Sequence, residues 1–537
     1  MPQKQAAPGP AGVSTTHTPL RLARNAMVAS ANPAATRIGV EILKSGGNAI
    51  DAAVAMGFAL SVMEPHRSHI GGDVFLQYWD AGARKSWALN GSGAAPSRVS
   101  LEEVAGGIPE RGIRAACVPG APDAWITAVE RWGTMTLPDI LAPAIEIAES
   151  GYPLPKWQME HIRRHEELWQ QFPESGAVLV PERFRQGGCI YQPVLGRTLR
   201  EIAAGGRDAF YKGNFADKLL EYSDAEGGFF ARVDLEYHQS EIADPIETTY
   251  HGVRVTEQPP VSQGHLLLQM LNIIEGFDFT GREPESAAVI HTMAEAKKLA
   301  FADRMAYMGD TPDSPLESLL SKRYATKQRR RIDSEKAQAR YTPGKLENPN
   351  TGTDTTSFVV IDSQGNAVSL IQSLFHHYGS GVVVPGTGVL LNNRMTGFSL
   401  TPGHPNVLEP GKRPMHTLNT WMLFNGEDLW AIGGTPGADV QVQTNLQVIS
   451  QIVDFGRDPQ EAIESPKWSV PPDGAELIVE DRLDLDRCYE LRQMGHRMTI
   501  EGPWSAPCAS QVIMIDQHTG TLMGASDPRS EGLALGY

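Results

Sequence analysis

At Thr326 the chain stops offering side chains to bury, and it does not resume until Thr355. The stretch Thr326 to Asp354 (TKQRRRIDSEKAQARYTPGKLENPNTGTD) is polar throughout, basic at first and then rich in Pro, Asn and Gly. A surface linker is the plain reading of such a composition. Inside a compact domain a structureless stretch of this length is uncommon and usually functional. A strand follows with no delay: Thr355 to Asp362 (TTSFVVID) is β-branched and aromatic. The break separates two halves of different character, and the second half starts abruptly at a threonine.

Before the break, helical spacing dominates. Ala34 to Leu60 carries a helical pattern interrupted at Ser45-Gly46-Gly47-Asn48, which reads as one helix end and a new start. Helices are also predicted at Ala124 to Glu130, Leu137 to Ser150, Leu266 to Ile274 and Ala287 to Tyr307, with Gly252 to Glu257 as a strand among them. After the break, strands are predicted at Ala367 to Ser373, Val382 to Val384, Val389 to Leu391, Trp421 to Phe424, Leu429 to Ile432 and Val512 to Ile515. The first two strands of this half form a hairpin around Ser363-Gln364-Gly365-Asn366. A turn centred on Gln364-Gly365 sets Thr355 against Leu374; a loop one residue longer sets it against Ser373.

Length and charge narrow the function classes. A chain of 537 residues holds three or four units, or one large core. The net charge of −16 argues against nucleic acid as a partner, because a phosphate backbone wants a basic face. The most apolar run, Ala52 to Met63, is too short to span a bilayer. The first twenty or so residues lack a signal peptide's apolar core and read as a loose end, so a cytoplasmic protein is expected. Cys117, Cys189, Cys488 and Cys508 have no zinc-pair spacing and read as buried free thiols. Gly46-Gly47 and Gly71-Gly72 lack a nucleotide-loop pattern, so no cofactor is expected. No metal is expected either, since the adjacent His376 and His377 point to opposite faces of a strand. The Lys327 to Arg331 cluster reads as a solvated face.

A helical part, a polar linker and a strand opening on Thr form the layout of an N-terminal nucleophile hydrolase precursor. That chemistry frees a hydroxyl residue as a new chain start. Its side chain is the nucleophile, and its own α-amine, with a pKa near 7.7–8.0, handles the proton.

The chain resembles the γ-glutamyltransferase family along almost its whole length. The matching segments include SGGNAIDAAVA (Ser45 to Ala55), EPHRSHIGGD (Glu64 to Asp73), VPGAPDAW (Val118 to Trp125), FYKG (Phe210 to Gly213) and QPPVSQGHLLLQMLNIIE (Gln258 to Glu275). Further on come EAKKLAFADR (Glu295 to Arg304), DTTSFVVIDSQGNAVS (Asp354 to Ser369), YGSGVVVPGTGVLLNN (Tyr378 to Asn393), PGKRP (Pro410 to Pro414) and GASDPR (Gly524 to Arg529). The resemblance implies an α+β fold, an αββα sandwich built jointly by two chains cut from one precursor. It implies cleavage between Asp354 and Thr355: residues 1–20 loose, 21–354 the large chain with 326–354 a flexible loop, and 355–537 the small chain. It also implies amide hydrolysis or acyl transfer on a small-molecule amide. Thr355 matches the nucleophile, Ser373 a second threonine bonded to it, and Gly437 and Ala438 the glycine pair of the oxyanion hole. A backbone donor survives the change to Ala438 if φ stays negative there. A homo-oligomer of processed heterodimers is compatible with this reading, and no nucleic acid or membrane is.

The departures bear on the substrate. Ser92 stands where the family has an arginine for the glutamyl α-carboxylate. The segment Asn392-Asn393-Arg394-Met395-Thr396-Gly397-Phe398 lacks the acid that holds the α-amine. His416-Thr417 replaces a serine pair, and Phe375, followed by His376, replaces an asparagine. These versions resemble a cytoplasmic branch that includes glutathione hydrolase-like proteins and oxamate amidohydrolases. A γ-glutamyl compound such as glutathione and a non-glutamyl amide such as oxamate both stay open. Oxamate needs a cation and no acid; Arg67 is the first candidate and Arg394 the second, with His376, His416 and Thr417 as further pocket residues. The rival reading is an uncut, non-catalytic scaffold.

Overall fold

The computed structural model describes residues 16–182, 184–312, 314–342 and 354–537. Two seven-stranded antiparallel sheets organise it. The first runs in the order Leu533–Gly536, Met27–Ser30, Asp354–Ile361, Ala367–Phe375, Asp73–Asp80, Lys85–Gly91, Glu241–Ala243. The second runs Arg21–Ala23, Leu522–Ser526, Gln511–Ile515, Asp428–Gly434, Thr420–Asn425, Val253–Glu257, Ile246–Tyr250. Each sheet takes strands from both sides of the Asp354–Thr355 bond.

Strand periodicity sorts the layers. Along Asp354–Ile361, Phe358 and Val360 pack with the helices Pro33–Lys44 and Ala49–Met63. Val359 and Ile361 face the other way and meet Met422, Phe424 and Ile432 of the second sheet. Outside the second sheet lie the helices Gly264–Ile274, Ala287–Tyr307 and Gln441–Val453. The result is helix, sheet, sheet, helix: the expected αββα sandwich. Thr355 shares its face with Ser357, Val359 and Ile361, so it belongs to the slot between the sheets.

The hairpin turn is pinned to a helix start. The Asp362 carboxylate accepts from the Gln364 and Asn366 backbone N–H groups and from Ala49 N–H at 3.0 Å, at the N-terminus of Ala49–Met63. From Ile361↔Ala367 to Thr356↔Gln372 the hairpin follows the longer-loop register. It then shifts, so that Asp354 pairs with Phe375. Ser373 and Leu374 therefore both oppose Thr355 in a bulge, and the two expected registers meet at this one residue.

Several expectations needed adjusting. Of the loose residues 1–20, Thr16 to Leu20 are described, and the His17 and Thr18 N–H groups donate to the Glu464 carboxylate. The loop 326–354 begins as helix, since Lys322–Arg329 runs into it. Tyr341 then docks its hydroxyl on Glu295 at 2.6 Å. Residues 343–353 of that loop lie outside the described residues. The first half also contributes more strands to both sheets than its helical spacing suggests. All four cysteines are free. Among the described residues no helix is long and apolar enough to cross a membrane.

Candidate active site

Thr355 is 1% exposed, at the start of a central strand and on the inter-sheet face. Across the slot, the strand Asp428–Gly434 ends and the chain turns through Thr435 to Val440 into the helix Gln441–Val453. Gly437 in that turn has φ 122°, and a Cβ there would sit 2.2 Å from the Pro507 carbonyl oxygen, so only glycine fits. Ala438 has φ 51°, so the negative φ set as a condition from the sequence is not met. A side chain in that region crowds the backbone, and surrounding contacts must hold it there.

One side chain links Thr355 and the turn. The Gln441 amide stands 3.4 Å from Thr355 Oγ1. Oriented to satisfy its neighbours, it donates to the Thr417 carbonyl at 2.6 Å and accepts from Ala438 N–H at 3.2 Å. Its oxygen then faces the Thr355 hydroxyl. Nothing in the sequence marks Gln441 off from any polar residue near a helix start. On the other flank, the bulge is capped by Ser373, whose Oγ accepts from Phe375 N–H at 2.8 Å. Phe375, with φ 87°, is held off the usual backbone regions there.

Beyond the bulge lies a buried cation. Arg394 is fully buried; its Nε donates to Asp73 Oδ2 at 2.9 Å, while neither terminal nitrogen has a hydrogen-bond partner. Asp73 is also buried and accepts from Gly93 N–H at 2.9 Å. Burial raises its carboxyl to about 6, against the opposing pull of Arg394. The Phe375 ring lies 4.4 Å from the Arg394 guanidinium and stacks on His376, whose Nδ1 is 3.2 Å from Glu110. His416 packs on Phe75 at 5.0 Å, with neither ring nitrogen hydrogen-bonded, and burial holds it neutral. Thr417 contributes the carbonyl that Gln441 and Gln263 share. At the positions where the resemblance leads one to look for glutamyl-binding groups, Ser92 Oγ donates to Asn90 at 2.6 Å and Thr396 Oγ1 to the Asn393 carbonyl at 2.8 Å.

Arg67 lies in a different cluster. Its guanidinium is 3.6 Å from Glu64 and lies over the Trp157 ring, beside His66, with His161 and His377 packed on His66. His376 and His377 follow the strand Ala367–Phe375 in a bend and turn, not on a strand as expected, and their rings join different clusters. Among the described residues one trio, His291, Glu295 and His496, brings metal-type ligand atoms within 4.8 Å of one another. These atoms already serve neighbours: His291 Nδ1 bonds His496 Nε2 at 2.8 Å, and Glu295 accepts from Lys298 at 2.7 Å.

Comparison with known proteins places the chain. The family model described as Gamma-glutamyltranspeptidase matches residues 35–537. The glutathione hydrolase-like YwrD proenzyme of Bacillus subtilis is 37% identical over 529 residues, covering 95% of this chain and 98% of the relative. The oxamate amidohydrolase proenzyme of Klebsiella pneumoniae is 34% identical over 519 residues, covering 94% and 97%. The crystal structure of cephalosporin acylase from Bacillus halodurans superposes with a TM-score of 0.89 at 36% identity, covering 100% of this chain and 99% of that one.

Proposed function

The chain belongs to the gamma-glutamyltranspeptidase family of amide-bond hydrolases and acyltransferases, and within it we propose a self-cleaving threonine amidohydrolase with Thr355 as nucleophile. The observation that carries this reading is the meeting of Thr355 Oγ1 and the Ala438 N–H on the single amide of Gln441. Nucleophile and oxyanion donor thus already share one spot in the uncut chain. The relatives' names as proenzymes agree with cleavage.

In self-cleavage, Thr355 Oγ attacks the Asp354 carbonyl carbon. The C–N bond breaks as the acyl group shifts to oxygen, and water hydrolyses the ester. This leaves a carboxylate on Asp354 and a free α-amine on Thr355. In turnover the same oxygen attacks the substrate amide, and the α-amine takes its proton. A substrate oxygen replaces that of Gln441 on the Ala438 donor. The amine leaves with the proton, and water, or an acceptor amine, resolves the ester.

The acyl group we propose carries a carboxylate and no α-amine. Arg394 offers two unpartnered terminal nitrogens to such a carboxylate, in the planar fork that suits bidentate pairing. Thr396 and Gly397 offer an ammonium no acid. Arg394, with its contacts to Asp73 and Phe375, replaces Arg67 as the preferred clamp. Oxamate meets this description; a γ-glutamyl group, bearing an ammonium, does not. The four free thiols suit a reducing compartment, in keeping with a cytoplasmic location. The test is a matched pair, glutaryl- and γ-glutamyl-4-nitroanilide, which differ only by the α-amine, run beside oxamate. Faster turnover of the γ-glutamyl compound would reject the acyl assignment.

A further inference from the structure

The Ala438 turn needs an outside hold, and the geometry points to Gln263 as the positioning residue that keeps the Ala438 N–H aimed at the nucleophile. This inference rests on the assignment of Thr355 and Ala438 above. Ala438 sits at φ 51°, where its Cβ crowds the backbone. Rotation about its N–Cα bond would relieve that crowding. The same rotation would turn the 437–438 peptide plane, and with it the N–H that meets the Gln441 amide.

Three contacts oppose the rotation. Fully buried Gln263, just before the helix Gly264–Ile274, donates from Nε2 to the Ala438 carbonyl at 2.9 Å and to the Thr417 carbonyl at 2.6 Å. It therefore ties the oxyanion turn to the segment bearing His416 and Thr417. On the other side of Ala438, Asp439 is ion-paired with Arg304 of the helix Ala287–Tyr307. The Asp439 carbonyl accepts from Gln443 at 2.9 Å. Asp439 anchors the turn to two helices, whereas Gln263 is the side chain that grips the carbonyl of the strained residue itself. Gly437 cannot share the load with a side chain, because the Pro507 carbonyl leaves no room for one.

Gln263 donates its hydrogen bonds to the Thr417 and Ala438 carbonyls and not to the Thr355 hydroxyl, so it acts through the turn. The test is a rescue. Acylation of the processed enzyme by 4-nitrophenyl acetate reports the nucleophile and oxyanion donor without needing the acyl pocket, with Thr355→Ala as background. Gln263→Met is expected to slow Thr355-dependent 4-nitrophenolate release at least tenfold, with little change in half-saturation. Ala438→Gly alone, which removes the strain, sets the reference rate against which the double variant is read. Adding Ala438→Gly to Gln263→Met is expected to restore most of the lost rate. If Gln263→Met folds but is not cut, restoration of cutting by Ala438→Gly counts the same way. A Gln263→Met rate within twofold of the parent overturns the inference. So does a double variant that stays slow, uncut or unfolded. A parent that shows no Thr355-dependent release overturns the functional reading itself, and this inference with it.

Discussion

Replacing Arg394 with methionine separates acyl recognition from chemistry. In the parent the guanidinium gives one hydrogen bond to Asp73, and its two terminal nitrogens have no hydrogen-bond partner. Removing one partner of a buried, hydrogen-bonded charge pair costs about 2–5 kcal/mol. At 1.36 kcal/mol per decade, a bound carboxylate's loss lowers kcat/KM by roughly thirty-fold to more than a thousand-fold. The same change strands Asp73 in the core, a stability cost of about 3–5 kcal/mol if it stays ionised. It has a way out, because burial already raises its carboxyl to about 6 and losing Arg394 raises it further. A folded-state carboxyl raised above its unfolded value loses stability as pH rises through the folded value. The Tm deficit of Arg394→Met should therefore be smaller at pH 5 than at pH 8, and Asp73→Asn should remove that difference. The assay is kcat/KM on glutaryl-4-nitroanilide, with 4-nitrophenyl acetate as the carboxylate-free control. Loss on the first with the second preserved is expected. A folded Arg394→Met variant within threefold of the parent on the carboxylate substrate refutes the clamp.

Other outcomes follow from the same geometry. As pH falls through about 6, Asp73 gains a proton and leaves the Arg394 charge to the substrate, so KM for a carboxylate substrate should fall while the substrate stays ionised; a flat profile counts against the Asp73–Arg394 pairing. Ser373→Ala removes the acceptor for Phe375 N–H and should cost about 1–2 kcal/mol of stability and slow self-cleavage, read as Tm and as the cut fraction over time. Cys117 and Cys508 are buried, and burial pushes the Cys508 thiol up to about 12, so both should resist iodoacetamide in the native protein and react once it is unfolded, as peptide mapping would show.

How far the sequence reaches can be traced residue by residue. Helices such as Leu137–Ser150 and Ala287–Tyr307 are legible end to end, the first from its Thr136 cap and closing Gly151, the second from its apolar spacing. The helix Gln441–Val453 is not, since VQVQTNLQVISQIV alternates like a strand and becomes helical by packing on the second sheet. Thr355, Ser373, Gly437 and Ala438 are legible through local motifs, and the hairpin count even narrows Thr355's neighbours to the two the bulge supplies. Long-range partners are not. Gln441 and Gln263 come from separate helix starts, and no spacing rule joins either to Thr355. Arg67 comes first from sequence because it stands where the family usually has small residues, yet local chain direction turns it onto Glu64 and Trp157. The sign of φ at Ala438 is likewise set by tertiary contacts that a glycine-to-alanine comparison leaves out.

The central claim is that this chain cuts itself at Thr355 and uses the freed residue. Intact mass under denaturing conditions, run on the purified parent and on Thr355→Ala, tests it most directly. The account predicts two chains in the parent, the smaller beginning at Thr355 and ending at Tyr537, and one uncut chain in the variant. A single uncut chain in both, or cleavage that survives Thr355→Ala, would contradict it.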